Sequence, residues 1–349
     1  MPTLENDKLV FRFPQVEEEA SFSIDFQRTL RIPDSDQTYA LPPGLGAFPL
    51  RHAEDYSTKL PSSIAERGGV ILPMWQAEAM WLNFSNSGPD WGLDFPVAIK
   101  VAAGKVNAVT GNAWRPGLHR DPQDYLVSPG QPWLDGFAVE EDVIRQFVAM
   151  PLGEGYTAEE QLSGQAEWGG VQIAVIPLKR AVWQRKRRDW ERRSLSLSPL
   201  LDKMEAVPAM LCEGPTMGLA PGGRMKQSVY RDTFGLDDWD IDAADRVFVS
   251  LVHAKDWKSI TSEAALNPPP TAAEYTAAGL PWFDYYAADQ TPLNGAPKLA
   301  GLASLGTLFK QKTGADLPQS GDVQTGQAVH ILPTSAGFRS VRESGEWDR

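Results

Sequence analysis

The chain has 349 residues, with 45 Asp and Glu against 33 Lys and Arg and a hydrophobic share of 42%, a balance that describes an acidic, packed globular protein of one large or two ordinary domains. A formal charge of −12 argues against general nucleic-acid binding, because affinity for a phosphate backbone comes mainly from Lys and Arg displacing counterions. No run of about 18 apolar residues exists, the opening MPTLEND is not a basic then apolar leader, and the single cysteine permits no intrachain disulfide, so a cytoplasmic protein without a transmembrane segment is expected.

The first half reads as β-rich. Lys8 to Phe13 and Ala20 to Ile32 are strands, the second placing Phe22, Ile24 and Phe26 on one face against Ser23, Asp25 and Gln27 on the other. Tyr39 to Leu50, with its prolines and glycines, is expected to be an ordered loop or an edge. Gly69 to Met74 is a short strand that Pro73 ends, and Phe95 to Ala102 returns through Ala103-Gly104-Lys105 into Val106 to Val109. Gly136 to Met150 predicts a hairpin turning at Glu140-Glu141-Asp142. Thr157 and Glu160 have the spacing of a capping box on a short helix that Gly164 stops, and Gly169 to Leu178 is a β-branched strand.

From Lys179 to about Met204 the pattern becomes basic, Trp-containing and helical. Lys179 to Arg193 alone holds eight basic and two acidic residues, a local +6 within a chain of −12, which leaves −18 on the rest. The chain therefore divides into a β-rich domain (1–178), a basic helical seam (179–205) and a mixed α/β domain with a polar tail (206–349). In the last part, Arg246 to His253 is a buried strand and Lys255 to Ser262 a short helix. Thr271 and Glu274 cap another helix, Lys298 to Lys312 is a further helix, and Ala328 to Leu332 is a strand. The expected fold class is α+β and β-rich, with antiparallel sheets, long Pro/Gly-rich loops and few short helices.

Few residues carry a recognisable chemical motif. The four histidines, His52, His119, His253 and His330, lack the spacing that puts two on one metal from one element, so no metal or cofactor is expected. Asp237 to Asp242 fails as a calcium loop, because Ala243 stands where the sharp turn needs Gly and Val249 where a bidentate Glu is needed. Met217 to Gln227 reads as a Gly-rich turn resembling a phosphate loop, with Arg224 and Met225 in the Lys and Ser/Thr places; Gly222, Gly223, Arg224 and Lys226 are candidates for an anion cradle. His119 and Arg120, in a polar loop, are candidates for a carboxylate ligand. Glu154, Glu160 and Glu167 are a weak acid–base candidate, Glu160 being already used as a cap, and Cys212 reads as a small buried residue.

Trp is unusually frequent, at 12 residues, and several lie beside proline: Trp75, Trp133 and Trp282. Such rings either plug the core beneath long loops or anchor a partner, and Trp282, Phe283, Tyr285 and Tyr286 are the best candidates for the second role. Arg185, Lys186, Arg187 and Arg188 are the matching basic candidates, able to pair with Glu17-Glu18-Glu19 or Asp237 to Asp245 of a neighbouring copy.

Phe147 to Glu160 (FVAMPLGEGYTAEE), Met217 to Lys226 (MGLAPGGRMK) and Gly279 to Tyr286 (GLPWFDYY) resemble stretches of a bacterial protein family known only as uncharacterised, and the resemblance runs over most of the chain. It implies a shared architecture and no activity. The leading expectation is a non-catalytic scaffold or binding protein, self-assembling as a homo-oligomer through charged and aromatic surfaces. One alternative is a hydrolase with a dispersed site of His119, His253 and the Glu154 to Glu167 carboxylates. The other is a small-ligand or glycan binder that stacks its ligand on exposed Trp.

Overall fold

A computed structural model describes residues 1–35, 37–88, 93–194, 216–285, 287, 290–325 and 328–331. The principal strands are β1 (Lys8–Arg12), β2 (Ser21–Thr29), β3 (Gly44–Ala47), β4 (Val70–Met74), β5 (Ala79–Ser87), β6 (Val97–Ala103), β7 (Leu126–Ser128), β8 (Trp133–Leu134), β9 (Gly136–Glu140), β10 (Val143–Pro151), β11 (Val171–Pro177), β12 (Thr216–Lys226), β13 (Asp245–His253), β14 (Phe283–Tyr285) and β15 (Val329–Ile331). The helices used below are α1 (Ala158–Ser163), α2 (Arg180–Ser194) and α3 (Leu305–Thr313). The fold is the β-rich α+β class expected: one extensive, mainly antiparallel sheet, a small parallel β14–β15 pair and a few short helices.

Strand β5 is the hub. One edge pairs with β2 along its whole length, from Ser21↔Ser87 to Thr29↔Ala79. The other edge is shared, Ala79 and Met80 with Val148 and Phe147 of β10, then Leu82 and Asn83 with Leu134 and Trp133 of β8. From β10 the ladder runs through β12, β13, β11 and β6 to β7, whose chain turns at 129–132 into β8 and so back to β5. The circuit is completed by that chain turn and not by a β7–β8 ladder, and strands beyond position 205 bond directly to strands before position 178.

Period-two alternation sets which residues fill the main core. In β6 it is Val97, Ile99 and Val101, in β11 Val171, Ile173 and Val175, in β10 Phe147 and Ala149, all almost fully buried. The opposite face of β10 buries Val148 and Met150 beneath Leu305 of α3, and that of β6 and β11 buries Ala98, Ala174 and Ile176 beneath Trp239. In α2, Trp183 is the core residue of the basic helix, its ring edge-on to Phe95 at 5.0 Å. Both capping boxes are formed, at Thr157/Glu160 and Thr271/Glu274.

Three local expectations are corrected. The Gly-rich Met217–Gln227 segment is not a turn: Met217 to Lys226 lie in β12, paired with β10 from Val143↔Lys226 to Pro151↔Met217. Pro73 lies inside β4, beyond the Arg51–His52 pairing that covers only Val70 and Ile71, where an edge position tolerates a missing N–H. The helix expected over Lys298–Lys312 divides into Pro297–Ala300 and α3, because Gly301 ends the first and the Ser304 hydroxyl caps the second.

Candidate functional site

The residues singled out in the sequence fall into separate places. His119 Nδ1 lies 2.9 Å from Oδ2 of Asp124, and the same carboxylate meets the Lys100 ammonium at 2.7 Å. Lys100 is 1% exposed and also donates to the carbonyls of Arg115 and Gly117, at 2.7 and 2.8 Å. Burial pulls its pKa down, against the hydrogen bond and charge of Asp124. Arg120 turns away and donates to the carbonyls of Asp232 and Phe234. The cluster ties the 115–124 loop to the outer face of β6.

The proposed anion cradle is occupied by the chain itself. Arg224 forms a two-pronged ion pair with Glu140, at 2.8 and 2.7 Å, and Lys226 lies 3.3 Å from Asp284. A Cβ on Gly223 would stand 2.3 Å from the Pro33 carbonyl oxygen, and one on Gly222 2.5 Å from Val148, so these glycines permit close strand packing. The basic helix likewise pairs within its own chain: Arg187 with Glu17 at 2.9 Å, Arg185 with Asp238 at 3.8 Å, and Lys186 over the Phe234 ring at 5.6 Å. Arg188 is exposed. A cavity of about 350 Å³ beside this helix is lined by Arg185, Lys186, Trp190, Phe234, Asp189 and Asp238, a set of balanced charge.

The aromatic candidates divide. Trp282 is a plug, 2% exposed, packed between Tyr39 and Tyr275 at 6.3 and 6.2 Å. Trp75 is another, edge-on to the buried His253 with its Nε1 donating to the Leu266 carbonyl. Tyr286 and Cys212 lie outside the described residues. Phe283 and Tyr285 are half-buried and face a different setting, together with Trp133.

That setting is a cleft of about 380 Å³ lined by Leu41, Pro42, Pro43, Gly44, Trp81, Trp133, Asp135 and Phe283. Strand register builds it. Trp81 pairs with Gln27 across β2–β5, and Trp133 with Asn83 across β5–β8, so the two indoles are diagonal neighbours on the outer face of β5. Their centroids are 6.2 Å apart with planes at 69°, and Tyr285 backs Trp133 at 4.7 Å. Gly44 leaves the opposite wall open, since a Cβ there would sit 3.4 Å from the Trp81 ring. Phe283 is fixed by a two-bond bridge to Leu41, each backbone N–H donating to the other's carbonyl, at 2.8 and 2.9 Å.

Among the described residues, Asp135 is the one ionisable side chain lining the cleft. It is 4% exposed. Its Oδ1 accepts from Gln227 Nε2 at 2.7 Å, and its Oδ2 meets no donor among the described residues. Burial pushes its pKa up to about 7, with the Gln227 hydrogen bond the only opposing cause. A little further along the face, Asp25 is already engaged, accepting from Asn83 at 3.0 Å and from Gln27, with Lys8 at 3.8 Å.

Sequence reasoning singled out Trp133 and Phe283 but missed Trp81, Asp135 and the Leu41–Gly44 wall. A signal existed for Trp81, in the alternation of Met80, Leu82 and Phe84 with Trp81 and Asn83. Asp135 carried none. Among the described residues no group of three His, Cys, Asp or Glu is placed to hold a metal ion, and no helix is long and apolar enough to cross a membrane. Comparison with protein-family models, with curated proteins and with solved structures finds no match to this chain.

Proposed function

We propose that this protein binds a small organic ligand in the cleft walled by Trp81, Trp133 and Phe283, with Asp135 as its polar anchor. The observation that carries the reading is the pairing of two half-buried indoles with one buried carboxylate that keeps an oxygen without a partner among the described residues. Ligand cavities are typically a few hundred Å³, predominantly apolar, with few polar groups that fix orientation. The Asp135 oxygen that no described residue meets opens to the cleft, where solvent or a ligand supplies the partner that a largely buried carboxylate needs. The rings are also prearranged: Trp133 is backed by Tyr285, and Trp81 stands across from Gly44, so little ordering is needed on binding.

The test is a ligand-observed magnetic-resonance screen of small aromatic and aliphatic compounds against the full chain, repeated with Trp133→Ala and Trp81→Ala. Compounds that bind the wild type and are lost from both variants support the reading. Binding that both variants retain, or no binding by any compound, overturns it.

A further inference from the structure

We propose that the ligand of this cleft is a substituted ammonium ion, its cationic group held in the corner made by the Trp81 and Trp133 rings, beside the Asp135 oxygen that no described residue meets. The inference rests on the cleft being a ligand site and adds the charge and class of what enters it.

The wall's hydrogen-bonding inventory sets the class. Pro42 and Pro43 have no N–H, the Leu41 N–H is spent on Phe283, and Leu41, Gly44 and Phe283 bring no polar side chain. Beside the neutral indole N–H groups of Trp81 and Trp133, the charged group that the described lining offers is an acceptor, Asp135 Oδ2. An anion finds no lining cation among the described residues. A sugar would bring many hydroxyls into a wall that can meet few of them, and each buried unmet hydroxyl counts against binding. A tetra-substituted nitrogen asks for no hydrogen bond at all: it needs a negative partner and polarisable, electron-rich faces.

The cleft has both. A cation over an indole face is attracted by the ring quadrupole, most strongly for Trp and more so where water is excluded. The near-perpendicular Trp81 and Trp133 planes, at 69°, let one cation contact a face of one ring while the second ring closes its flank. Asp135 lies two residues from Trp133 and lines the same cleft. The neighbouring acid, Asp25, is matched by Lys8, Asn83 and Gln27, so it does not compete for the ligand charge. The chain's overall −12 favours approach of a cation.

The experiment compares choline with 3,3-dimethylbutan-1-ol, its uncharged isostere with carbon in place of nitrogen, by calorimetric titration of the full chain at pH 8. Choline is expected to bind at least about 10-fold more tightly. Asp135→Asn should weaken choline about 10-fold or more and leave the isostere within about twofold, while Trp133→Ala weakens both. Thermal melting of each variant confirms that it is folded. Equal binding of the two compounds, lost in Trp133→Ala, overturns the charge assignment and leaves the cleft as a ligand site. An Asp135→Asn variant that binds choline as the wild type does so as well. If neither compound binds, the ammonium assignment fails, and the cleft itself is judged by the fragment screen.

Discussion

Gln227 and Asp135 exchange two hydrogen bonds: the Asp135 backbone N–H donates to Gln227 Oε1 at 2.9 Å, and Gln227 Nε2 donates to Asp135 Oδ1 at 2.7 Å. The glutamine amide thus stands in for a peptide group of an adjacent strand. Gln131 does the same between the Trp133 and Ser228 carbonyls and the Tyr230 N–H, and Gln123 between the Tyr125 and Tyr230 carbonyls and the Asp232 N–H. Three side chains stitch residues 227–232 to residues 123–135 where no regular ladder forms. The cleft carboxylate hangs from this seam.

Asp135 makes stability fall with rising pH. Its folded pKa of about 7 lies above the ordinary carboxylate value of 3.8, so between the two the folded state keeps a proton that the unfolded state has released. The stabilisation is complete below about pH 4 and is lost as pH rises through 7, by at most about 4 kcal/mol. Asp135→Asn, which keeps an acceptor for Gln227, should match the wild type at pH 4 and be the more stable at pH 8. Urea denaturation at both values reads the difference; equal curves at pH 8 would contradict it.

Gln123→Leu should cost about 3 kcal/mol or more. It strips partners from two buried carbonyls and one buried N–H, and an orphaned buried group typically costs about 1–3 kcal/mol. Chemical denaturation midpoints measure it, and a loss below about 1 kcal/mol would mean that water replaces the amide.

Gly223→Ala tests whether the Gly-rich segment is packed strand. The added methyl meets the Pro33 carbonyl oxygen, so a loss of about 1–3 kcal/mol is expected, with inorganic phosphate making no difference to either protein's melting temperature. Phosphate protection of the wild type alone would restore the anion reading.

Lys100→Met should destabilise by about 3–5 kcal/mol, because it leaves the buried Asp124 without its closest cation and frees the carbonyls of Arg115 and Gly117. The double variant Lys100→Met/Asp124→Asn is expected to recover part of that loss. A thermodynamic cycle with a coupling near zero would show that the pair is not energetically joined.

Gly44→Leu should close the cleft without harming the fold. Its backbone is not in the left-handed region, and the Cβ direction leads to the Trp81 ring and the Gln27 amide rather than to main chain. Binding of any cleft ligand should drop at least about 10-fold while the melting temperature moves little. Retained affinity would place the ligand elsewhere.

Much of the fold was legible because its signals are local. Alternation in Phe22, Ile24 and Phe26, the Thr157/Glu160 spacing and the polar turn at Glu140 to Asp142 each depend on neighbours in sequence, and each element formed where expected. β5 was overlooked although Met80, Leu82 and Phe84 alternate as cleanly as β2 does. β12 was misread because its glycines answer to the Pro33 carbonyl, the Ile32 side chain and Val148, contacts made with distant chain. The site was legible only in its Pro-flanked rings. Asp135 draws its character from burial and from Gln227, both properties of distant chain, as is the charge matching of α2 by Glu17 and Asp238.

The hydrogen-bond bridge between Leu41 and Phe283 gives the cleft a birth order. Seven of its described lining residues, Leu41 to Asp135, precede β10 in the chain, while the eighth, Phe283, follows β13. A chain that ended before residue 283 would lack both the bridge to Leu41 and the ring of Phe283 in the cleft lining.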